Sequence, residues 1–530
     1  MNNADPPSPA LPLPPPPDAL FAPRAADTLV PNMTVGEVLA YTAEMKAREG
    51  EAPAARRARV DAAVSQLGLE ACRDVLVGGP AARGLSGGQL KRANIGLALV
   101  ASPKVLFLDE PTTGLDSYTA NEVMTVVRSL ADAGITVLAT LHSPSPYAFS
   151  RFHRLFVMLA GRCVYFGPND DGVAAALGAG AEAPAAESRL SRVEWLTDVV
   201  VAADRAGRAA ELAARYARSP LAAANAEEAA ALAASDPAAA GDRASALTQV
   251  RRATERGAAA GYMALLRHRT RADLRDPGYL APRIAEKALT AFVVLTLYVG
   301  VGRDGRATSN TGVVSALFMW CTLPGFSAVA YTPAIVLERP LYNRERSDGL
   351  YAPLTYLAFK LTGEVVVAAA VAPLLAAAVW FAVGFQGSFA VFWATYLLTT
   401  VTGIALGYAV AALSRDLLTA NTALPAFVVC MLFFTGLLMR YDDMPRYLAW
   451  MMYADFLHYA WGAVTLNQYL GYDDPAAAVV VGSEQVLALY SLPGALGGGP
   501  WRYIAVESTF LVGFLAIAWA ALAFVQHAKR

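Results

Sequence analysis

Two consecutive acidic residues, Asp109 and Glu110, are the side chains in this sequence best suited to chemistry. They follow the apolar run Val105–Leu108, which predicts a buried strand of a parallel sheet. In open α/β sheets, ligands bind at the carboxyl ends of the strands, so both carboxylates would lie at a ligand site. Asp109 suits Mg²⁺ coordination, and Glu110 suits polarising a water molecule for attack on a γ-phosphate. Taken alone, the pair could equally be two solvated acids at the end of a strand.

A glycine-containing segment, Ser86–Gln89, opens a predicted helix that runs to Val100. Its glycines would let backbone N–H groups approach a phosphate, and the amino end of a helix favours negative charge there. A short segment after the strand Val105–Leu108 contains Asp116. His142 follows the next predicted buried strand, Thr136–Thr140. An imidazole at that position could contact a γ-phosphate. Taken alone, a glycine-containing segment of this kind is more often an ordinary loop, and a histidine at such a position is more often an ordinary loop residue.

The order of the segments L-S-G-G-Q, V-L-F-L-D-E-P, G-L-D-S and a strand followed by histidine resembles the ATP-binding-cassette (ABC) ATPases. More narrowly, a cassette that precedes a membrane domain resembles the G subfamily, the White/pleiotropic-drug-resistance type of half-transporter. The resemblance implies ATP and Mg²⁺ as cofactors, with Asp109 as the metal ligand. It also implies that the signature residues Ser86, Gly87, Gly88 and Gln89 contact ATP. Asp116 would be the D-loop aspartate, and Glu110 and His142 would be the catalytic side chains.

A phosphate loop of the form G-x-x-x-x-G-K-[ST] does not occur in the sequence, and Arg24-Ala25-Ala26 stand where the family has a Gln-bearing loop. The predicted fold is therefore an α/β P-loop-NTPase-like ABC cassette that is partial, without its first strands, followed by an all-α six-helix transmembrane domain. In the family, each ATP lies between the phosphate loop of one subunit and the signature of the other. Ser86–Gly88 is therefore predicted to serve an ATP held by a partner. The expected reason for the missing phosphate loop is an incomplete gene model or a truncated product, and the alternative is a degenerate subunit.

Composition and charge divide the chain into a polar first half and an apolar second half. The formal net charge of -1 gives no indication of nucleic-acid binding, and only 16% of the residues are charged. The four cysteines have neither paired spacing nor a Cys/His metal pattern. The predicted divisions are a Pro-rich disordered segment (1–26), the partial cassette (27–200), an Ala-rich helical linker (201–270) and the membrane domain (271–530).

Six apolar segments are long enough to cross roughly 30 Å of hydrocarbon. They are predicted at residues 286–302, 312–337, 356–383, 389–413, 420–439 and 503–526. Basic residues near their ends predict a cytosolic cassette, cytosolic termini and one large outside loop at about 440–502. The basic residues between Arg267 and Lys287 would form a shelf before the first span. Lys360 and Glu364, four residues apart, would partly neutralise each other.

The resemblance further implies a central cavity between the second and fifth spans of two subunits. Phe326 would belong to an aromatic pocket, and Val429 and Leu432 would lie on one face of span five. Leu437 and Leu438 would form a leucine gate. Such a cavity suits a hydrophobic or lipid-like solute, although each residue singly could instead contact lipid or a neighbouring helix. The leading hypothesis is ATP-driven export by a homo- or heterodimer in a lipid membrane. The alternatives are a non-hydrolysing regulatory or scaffold subunit and a passive channel or receptor.

Overall fold

The computed structural model contains two compact units, Met1–Arg256 and Gly257–Arg530. The residues that it describes are 20–21, 29–47, 50–78, 84–142, 144–170, 172–177, 191–234, 257–303, 307–440, 442–470, 483–490, 499–525 and 527. The first unit has α/β structure, and the second is built of helices. This order of units confirms the predicted fold class.

A parallel sheet forms the base of the first unit. Its described strands, in the order β1-β2-β3, are Leu20–Phe21, Val105–Asp109 and Thr136–Thr140. β1 falls within residues 1–26, so the prediction that this segment is disordered is wrong for those two residues. β2 buries Leu106 and Leu108, whereas β3 alternates between exposed and half-buried residues. β3 is therefore not the buried strand that the sequence predicts, because β2 is its only partner among the described strands.

Five helices separate or follow these strands in the chain, and in most of them a side chain caps the amino end. They are α1 (Val35–Met45), α2 (Pro53–Gln66), α3 (Gly87–Leu99), α4 (Ser117–Asp132) and α5 (Pro146–Ser150). The side chains that cap α1, α3, α4 and α5 are Thr34, Ser86, Asp116 and Ser145. The buried residues of α4 recur every three or four positions, as a helix with one apolar face requires, at Val123, Val127 and Leu130.

A β-hairpin and four helices form another core of this unit. β4 (Arg154–Leu159) and β5 (Arg162–Pro168) pair antiparallel, with Gly161 at φ 73° in the predicted turn. The helices are α6 (Gly172–Leu177), α7 (Arg192–Arg205), α8 (Ala209–Ala217) and α9 (Pro220–Ala234). Leu212 on α8 shares a buried cluster with Val164 on β5. Part of the predicted linker therefore packs onto the cassette, because its apolar side chains cover the hairpin.

The second unit is a bundle of helices. Its described helices are α10 (Ala258–Leu265), α11 (Arg271–Arg275), α12 (Pro277–Tyr298), α13 (Ala307–Ser327), α14 (Pro333–Val336), α15 (Arg339–Ser347), α16 (Pro353–Val383), α17 (Phe389–Leu413), α18 (Leu417–Phe434), α19 (Trp450–Tyr453), α20 (Phe456–Tyr469), α21 (Ser483–Leu489) and α22 (Pro500–Phe524). α17 lies at the centre, since it packs against α13, α16, α20 and α22. Every residue from Thr399 to Ala409 is accordingly buried.

Five helical stretches in the described chain are long and apolar enough to cross a membrane. They are Asn310–Val336, Pro353–Val383, Phe389–Leu413, Leu417–Phe434 and Pro500–Phe524. They coincide with the second to sixth predicted spans. α12 covers most of the first, but it begins at Pro277, capped by Asp276, and ends at Tyr298, so the predicted limits of 286 and 302 are wrong. α12 is also more polar than the other five, because it contains Arg283, Glu286 and Lys287.

The segment 440–502, predicted as a large outside loop, contains a helix in the core of the unit. All 14 residues of α20 are buried, and the helix packs against α13, α17 and α22. Asp455 caps it by accepting the Leu457 N–H at 2.9 Å, and the Thr435 hydroxyl donates to the same carboxyl group at 3.2 Å. The loop prediction is therefore wrong for this part. α20 mixes His458 and Asn467 with its apolar residues, so it does not form a continuous apolar run.

Candidate functional site

Thr140 contacts the carboxylate of Asp109 and the backbone of Glu110 at the carboxyl edge of the sheet. Asp109 ends β2 and lies opposite Thr140, which ends β3, in parallel register. The Thr140 hydroxyl donates to Asp109 Oδ1 at 2.7 Å, and the Glu110 N–H donates to Thr140 Oγ1 at 3.1 Å. One side chain on the neighbouring strand therefore orients both predicted functional residues. The Asp109 side chain nevertheless stays exposed and open to a ligand.

The backbone of Glu110 is left-handed, with φ 48°, which is uncommon for a residue with a side chain. Such a conformation persists only where the surroundings hold it, and it is frequent at functional sites. Here Thr140 receives the Glu110 N–H, and the Thr113 hydroxyl donates to Glu110 Oε2 at 3.0 Å. The turn after β2 thus holds the Glu110 carboxylate beside the end of the sheet.

The oxygen donors at this edge suit Mg²⁺. This ion is usually bound through one or two carboxylates together with phosphate oxygens and water. Asp109 would supply such a carboxylate, and Glu110 follows it directly in the chain. Among the described residues, no group of three or more His, Cys, Asp or Glu side chains could hold a metal by itself.

The signature segment, Ser86–Gln89, forms the amino end of α3 and folds as a capping box. Ser86 Oγ accepts the Gln89 N–H at 3.3 Å, and Gln89 Oε1 accepts the Ser86 N–H at 3.0 Å. Ser86 and Gly87 are exposed. Because the first turn of a helix has N–H groups without partners in the helix, this exposed end can receive an anion.

Gly88 has a packing role that the sequence analysis did not identify. It is buried, and a Cβ atom at this position would lie 2.0 Å from Cγ2 of Thr119 on α4. The Thr119 N–H and hydroxyl donate to Asp116 at 3.0 Å and 2.7 Å. These two hydrogen bonds lower the pKa of the Asp116 carboxyl group. The signature segment and the cap of α4 therefore adjoin, and Gly88 permits that approach.

His142 lies two residues beyond β3 and is exposed. Since β3 ends beside Asp109, the chain carries His142 past the same edge of the sheet as the two carboxylates. Its imidazole makes no hydrogen bond with any residue that the structure describes. The structure thus places Thr140 in contact with both Asp109 and Glu110, and the His142 side chain lies at the surface two residues further along the chain.

The residues predicted to line a substrate cavity lie on α13, on α18 and just beyond α18. Val429 and Leu438 are 42% and 55% exposed, whereas Leu432 and Leu437 are half-buried against the bundle. Phe326 belongs to α13, but its side chain lies outside the described residues. In the single chain, Val429 and Leu438 therefore contribute to an apolar surface.

Buried ion pairs connect α12, α16 and the start of α15. Arg283 donates to both carboxylate oxygens of Glu364, from Nε at 2.6 Å. Lys360 pairs with Glu338. The prediction that Lys360 and Glu364 neutralise each other is therefore wrong. Packing brings an opposite charge from another segment to each of them, and those partners are in direct contact.

Part of the predicted basic shelf is also buried. Arg269 is 2% exposed, and it donates to Glu338 Oε2 at 2.7 Å and to Glu345 Oε2 at 3.2 Å. Lys287 is buried as well, and it donates to Tyr331 Oη at 2.9 Å. These cations therefore form part of the packed interior, because a buried charge is tolerated only with a partner.

Two family models match the chain, one in each unit. The ABC transporter model matches residues 20–113, which include the signature segment and both carboxylates. The ABC-2 type transporter model matches residues 261–469, most of the helical unit. Together the two models match more than half of the sequence. The chain belongs to the ABC transporters. In this ABC transporter, the cassette match ends before Asp116 and His142.

Relatives that resemble this ABC transporter across both units are members of the G family. The ABC transporter ATP-binding protein/permease wht-1 of Caenorhabditis elegans is 28% identical over 84% of this chain and 67% of its own length. ABC transporter G family member 22 of Dictyostelium discoideum is 26% identical over 95% and 82%. The broad substrate specificity ATP-binding cassette transporter ABCG2 of Sus scrofa is 25% identical over 84% and 70%. These similarities group the chain with the G family.

The general properties of this ABC transporter follow from the two matches. The first unit carries an ABC cassette, the nucleotide-binding domain that in ABC transporters in general couples ATP to transport, and the ABC-2 domain with its apolar helices makes the chain an integral membrane protein. The sequence analysis did not identify Thr140, Thr119 and Glu338 as the partners of Asp109, Asp116 and Lys360. A signal for Thr140 was present, because a polar residue ends the predicted strand next to β2.

Proposed function

We propose that this chain is one subunit of a dimeric half-transporter that uses ATP hydrolysis to export a hydrophobic or lipid-like solute. The observation that carries the proposal is the carboxyl edge of the sheet, where Thr140 holds the carboxylate of Asp109 and the backbone of Glu110. Asp109 would hold Mg²⁺ together with phosphate oxygens of ATP, and the ion would supply charge stabilisation to the phosphoryl group. Glu110 would accept the hydrogen bond of the attacking water and orient it.

The signature segment would receive the phosphates of an ATP held by the second subunit. Ser86 and Gly87 are exposed at a helix start that suits an anion, Gly88 follows them in the first turn, and Gln89 stabilises this start through the capping box. Asp116 lies beside it through the contact of Gly88 with Thr119, so both segments would meet the second subunit together. His142 would contact the γ-phosphate. The second subunit is either another copy of this chain or a different half-transporter.

The cargo class rests on the apolar surface near the end of α18. Val429 and Leu438 are exposed there, and a second subunit facing them would enclose an apolar space. Phe326, Leu432 and Leu437 would complete its wall. An apolar enclosure favours a hydrophobic or lipid-like solute, while membrane lipid would cover the outer helix faces. The cassette and both termini would be cytosolic.

ATP hydrolysis by the complete transporter tests the proposal. The tagged full-length chain is purified from membranes of its own cells together with its partner and reconstituted into liposomes. Glu110→Gln is expected to lower the Mg²⁺-dependent rate by about 100-fold or more, because the attacking water loses its base. The control is Glu122→Gln on α4, which leaves the sheet edge unchanged. Equal rates for wild type and Glu110→Gln would contradict the proposal.

Ser86→Arg distinguishes the role of the signature segment at the ATP of the partner from the role of Glu110 in hydrolysis. A large cation at the exposed start of α3 would remove the cap and block an anion, so hydrolysis is expected to be lost. If Ser86→Arg abolishes hydrolysis while Glu110→Gln leaves it intact, the chain completes the ATP site of its partner but hydrolyses no ATP itself. That result would favour the non-hydrolysing subunit over the half-transporter with its own catalytic carboxylate.

A further inference from the structure

A buried carboxyl group that the proposed function does not use lies inside the helical unit. Glu507 on α22 is 0% exposed, and α22 packs against α16, α17 and α20. Within the part of the chain that the structure describes, Glu507 forms no ion pair. Glu364, another buried glutamate of this unit, has Arg283 as its partner. A carboxylate without a counter-ion is strongly unfavourable in a protein interior and more so in a membrane.

The hydrogen bonds around Glu507 contain a conflict if the group is ionised. Its Oε1 lies 2.8 Å from the hydroxyl of Thr399 on α17, and its Oε2 has no hydrogen-bond partner among the described residues. The same Thr399 hydroxyl lies 2.8 Å from the carbonyl oxygen of Thr395, one turn earlier. A hydroxyl group has one proton and cannot donate fully to two acceptors.

A neutral Glu507 removes the conflict. A proton on Oε1 would be donated to Thr399 Oγ1, and Thr399 would donate its own proton to the Thr395 carbonyl oxygen. Thr395 and Thr400 make the same bond to the carbonyl four residues earlier, so this arrangement recurs on α17. Oε2 would then be the carbonyl oxygen of a neutral acid, whose burial costs far less than that of a carboxylate oxygen.

The neighbouring titratable groups do not supply a counter-charge in the described chain. Those on α22 and on the helices around Glu507 are Arg502, Tyr503, Cys321, Tyr356, Lys360, Glu364, Tyr396, Tyr408, His458, Tyr459 and Tyr469. Lys360 is paired with Glu338, and the Nδ1 atom of His458 lies 2.9 Å from the Thr435 carbonyl oxygen. None of these groups is hydrogen-bonded to Glu507. The only polar contact of Glu507 that the structure describes is therefore Thr399.

We propose that Glu507 is a proton-binding site inside the membrane domain, occupied in the closed packing of α17 against α22. Separation of these helices would admit water to the carboxyl group and favour release of the proton. The ligand is the proton itself, and the site would link the opening of the bundle to pH. The inference does not depend on which solute is carried or on ATP hydrolysis.

Infrared spectroscopy of the full-length chain in lipid membranes at neutral pH tests this inference. A neutral carboxylic acid has a C=O stretching band that a carboxylate lacks. Glu507→Gln is expected to lose the intensity of one such acid group. The matched control is Glu228→Gln on α9, an exposed residue, which should lose a carboxylate band instead. Loss of a carboxylate band in Glu507→Gln would overturn the proposal.

A second variant keeps the test decisive if Glu507→Gln does not fold. Thr399→Val removes the hydroxyl that accepts the proposed O–H and leaves the acid without that hydrogen bond. The acid band is then expected to remain and to shift to higher frequency. A spectrum in which Thr399→Val leaves every acid band at its wild-type position would show that no neutral acid is bonded to Thr399, and the proposal would fail.

Discussion

The two units of this ABC transporter treat their charged side chains in opposite ways. In the cassette, Asp109 and Asp116 are exposed and are hydrogen-bonded by neighbouring threonines. In the helical unit, Arg269, Arg283 and Glu364 are buried in ion pairs. An exposed carboxylate can still bind a metal or a partner, whereas a carboxylate already paired with arginine mainly fixes the positions of helices. The difference therefore separates residues kept for a ligand from residues used for packing.

Breaking the buried pair should have the largest effect. Glu364→Gln leaves the Arg283 guanidinium buried without its counter-ion, and we expect a loss of about 3–5 kcal/mol in unfolding free energy. The measurement is the thermal-unfolding midpoint of the full-length chain in detergent. Glu228→Gln is the control, because its pair with Arg154 is exposed and should contribute less than about 1 kcal/mol. Equal midpoints for the two variants would contradict the contrast between the units.

Asp455 is a buried carboxyl group without an arginine partner in the described chain, so it tests how burial alone affects the pH dependence of stability. Burial raises the pKa of Asp455 to about 8, so the folded state binds a proton more tightly than the unfolded state. The contribution of this group to stability therefore falls as pH rises towards 8. Asp455→Asn, whose Oδ1 atom can still accept the Leu457 N–H, should lack that fall. Between pH 6 and 8 the stability difference should change by about 2–3 kcal/mol, and a difference independent of pH would contradict the prediction.

Gly88 tests the packing behind the exposed site of the cassette. Gly88→Ala would place Cβ against Cγ2 of Thr119, and we expect a loss of about 1–3 kcal/mol from overpacking. Thr119→Ser removes that methyl group and keeps the hydroxyl that bonds Asp116. The double variant should therefore recover most of the lost stability in thermal unfolding. A double variant no more stable than Gly88→Ala would mean that this contact is not the cause.

The smallest effect is expected at the cap of α3. Ser86→Ala removes the acceptor of the Gln89 N–H, which should cost about 1 kcal/mol. Hydrogen exchange of the first-turn amides of α3 measures this locally, and their protection should decrease. Ser129→Ala near the end of α4 is the control, because its hydroxyl bonds only the Val126 carbonyl oxygen of its own helix. Unchanged protection in Ser86→Ala would show that the capping box does not stabilise this end.

The sequence predicted most of the strands, and five of its six predicted spans coincide with long apolar helices, because apolar runs and their periodicity mark both directly. It did not predict that α20 is buried, since this helix carries His458 and Asn467 and is too short to be recognised as a span. It identified Asp109 and Glu110 from their position after a strand. Thr140 was missed because its role depends on which strand pairs with β2.

By itself, the sequence determined the features that depend on residues three or four positions apart. These include the capping of α3 by Ser86 and Gln89 and the capping of α4 by Asp116. Only the tertiary structure decided that Thr140 bonds Asp109 and that Arg283 bonds Glu364, contacts between residues 31 and 81 positions apart. Local bonds follow from backbone geometry, whereas these partners are chosen by how strands and helices pack.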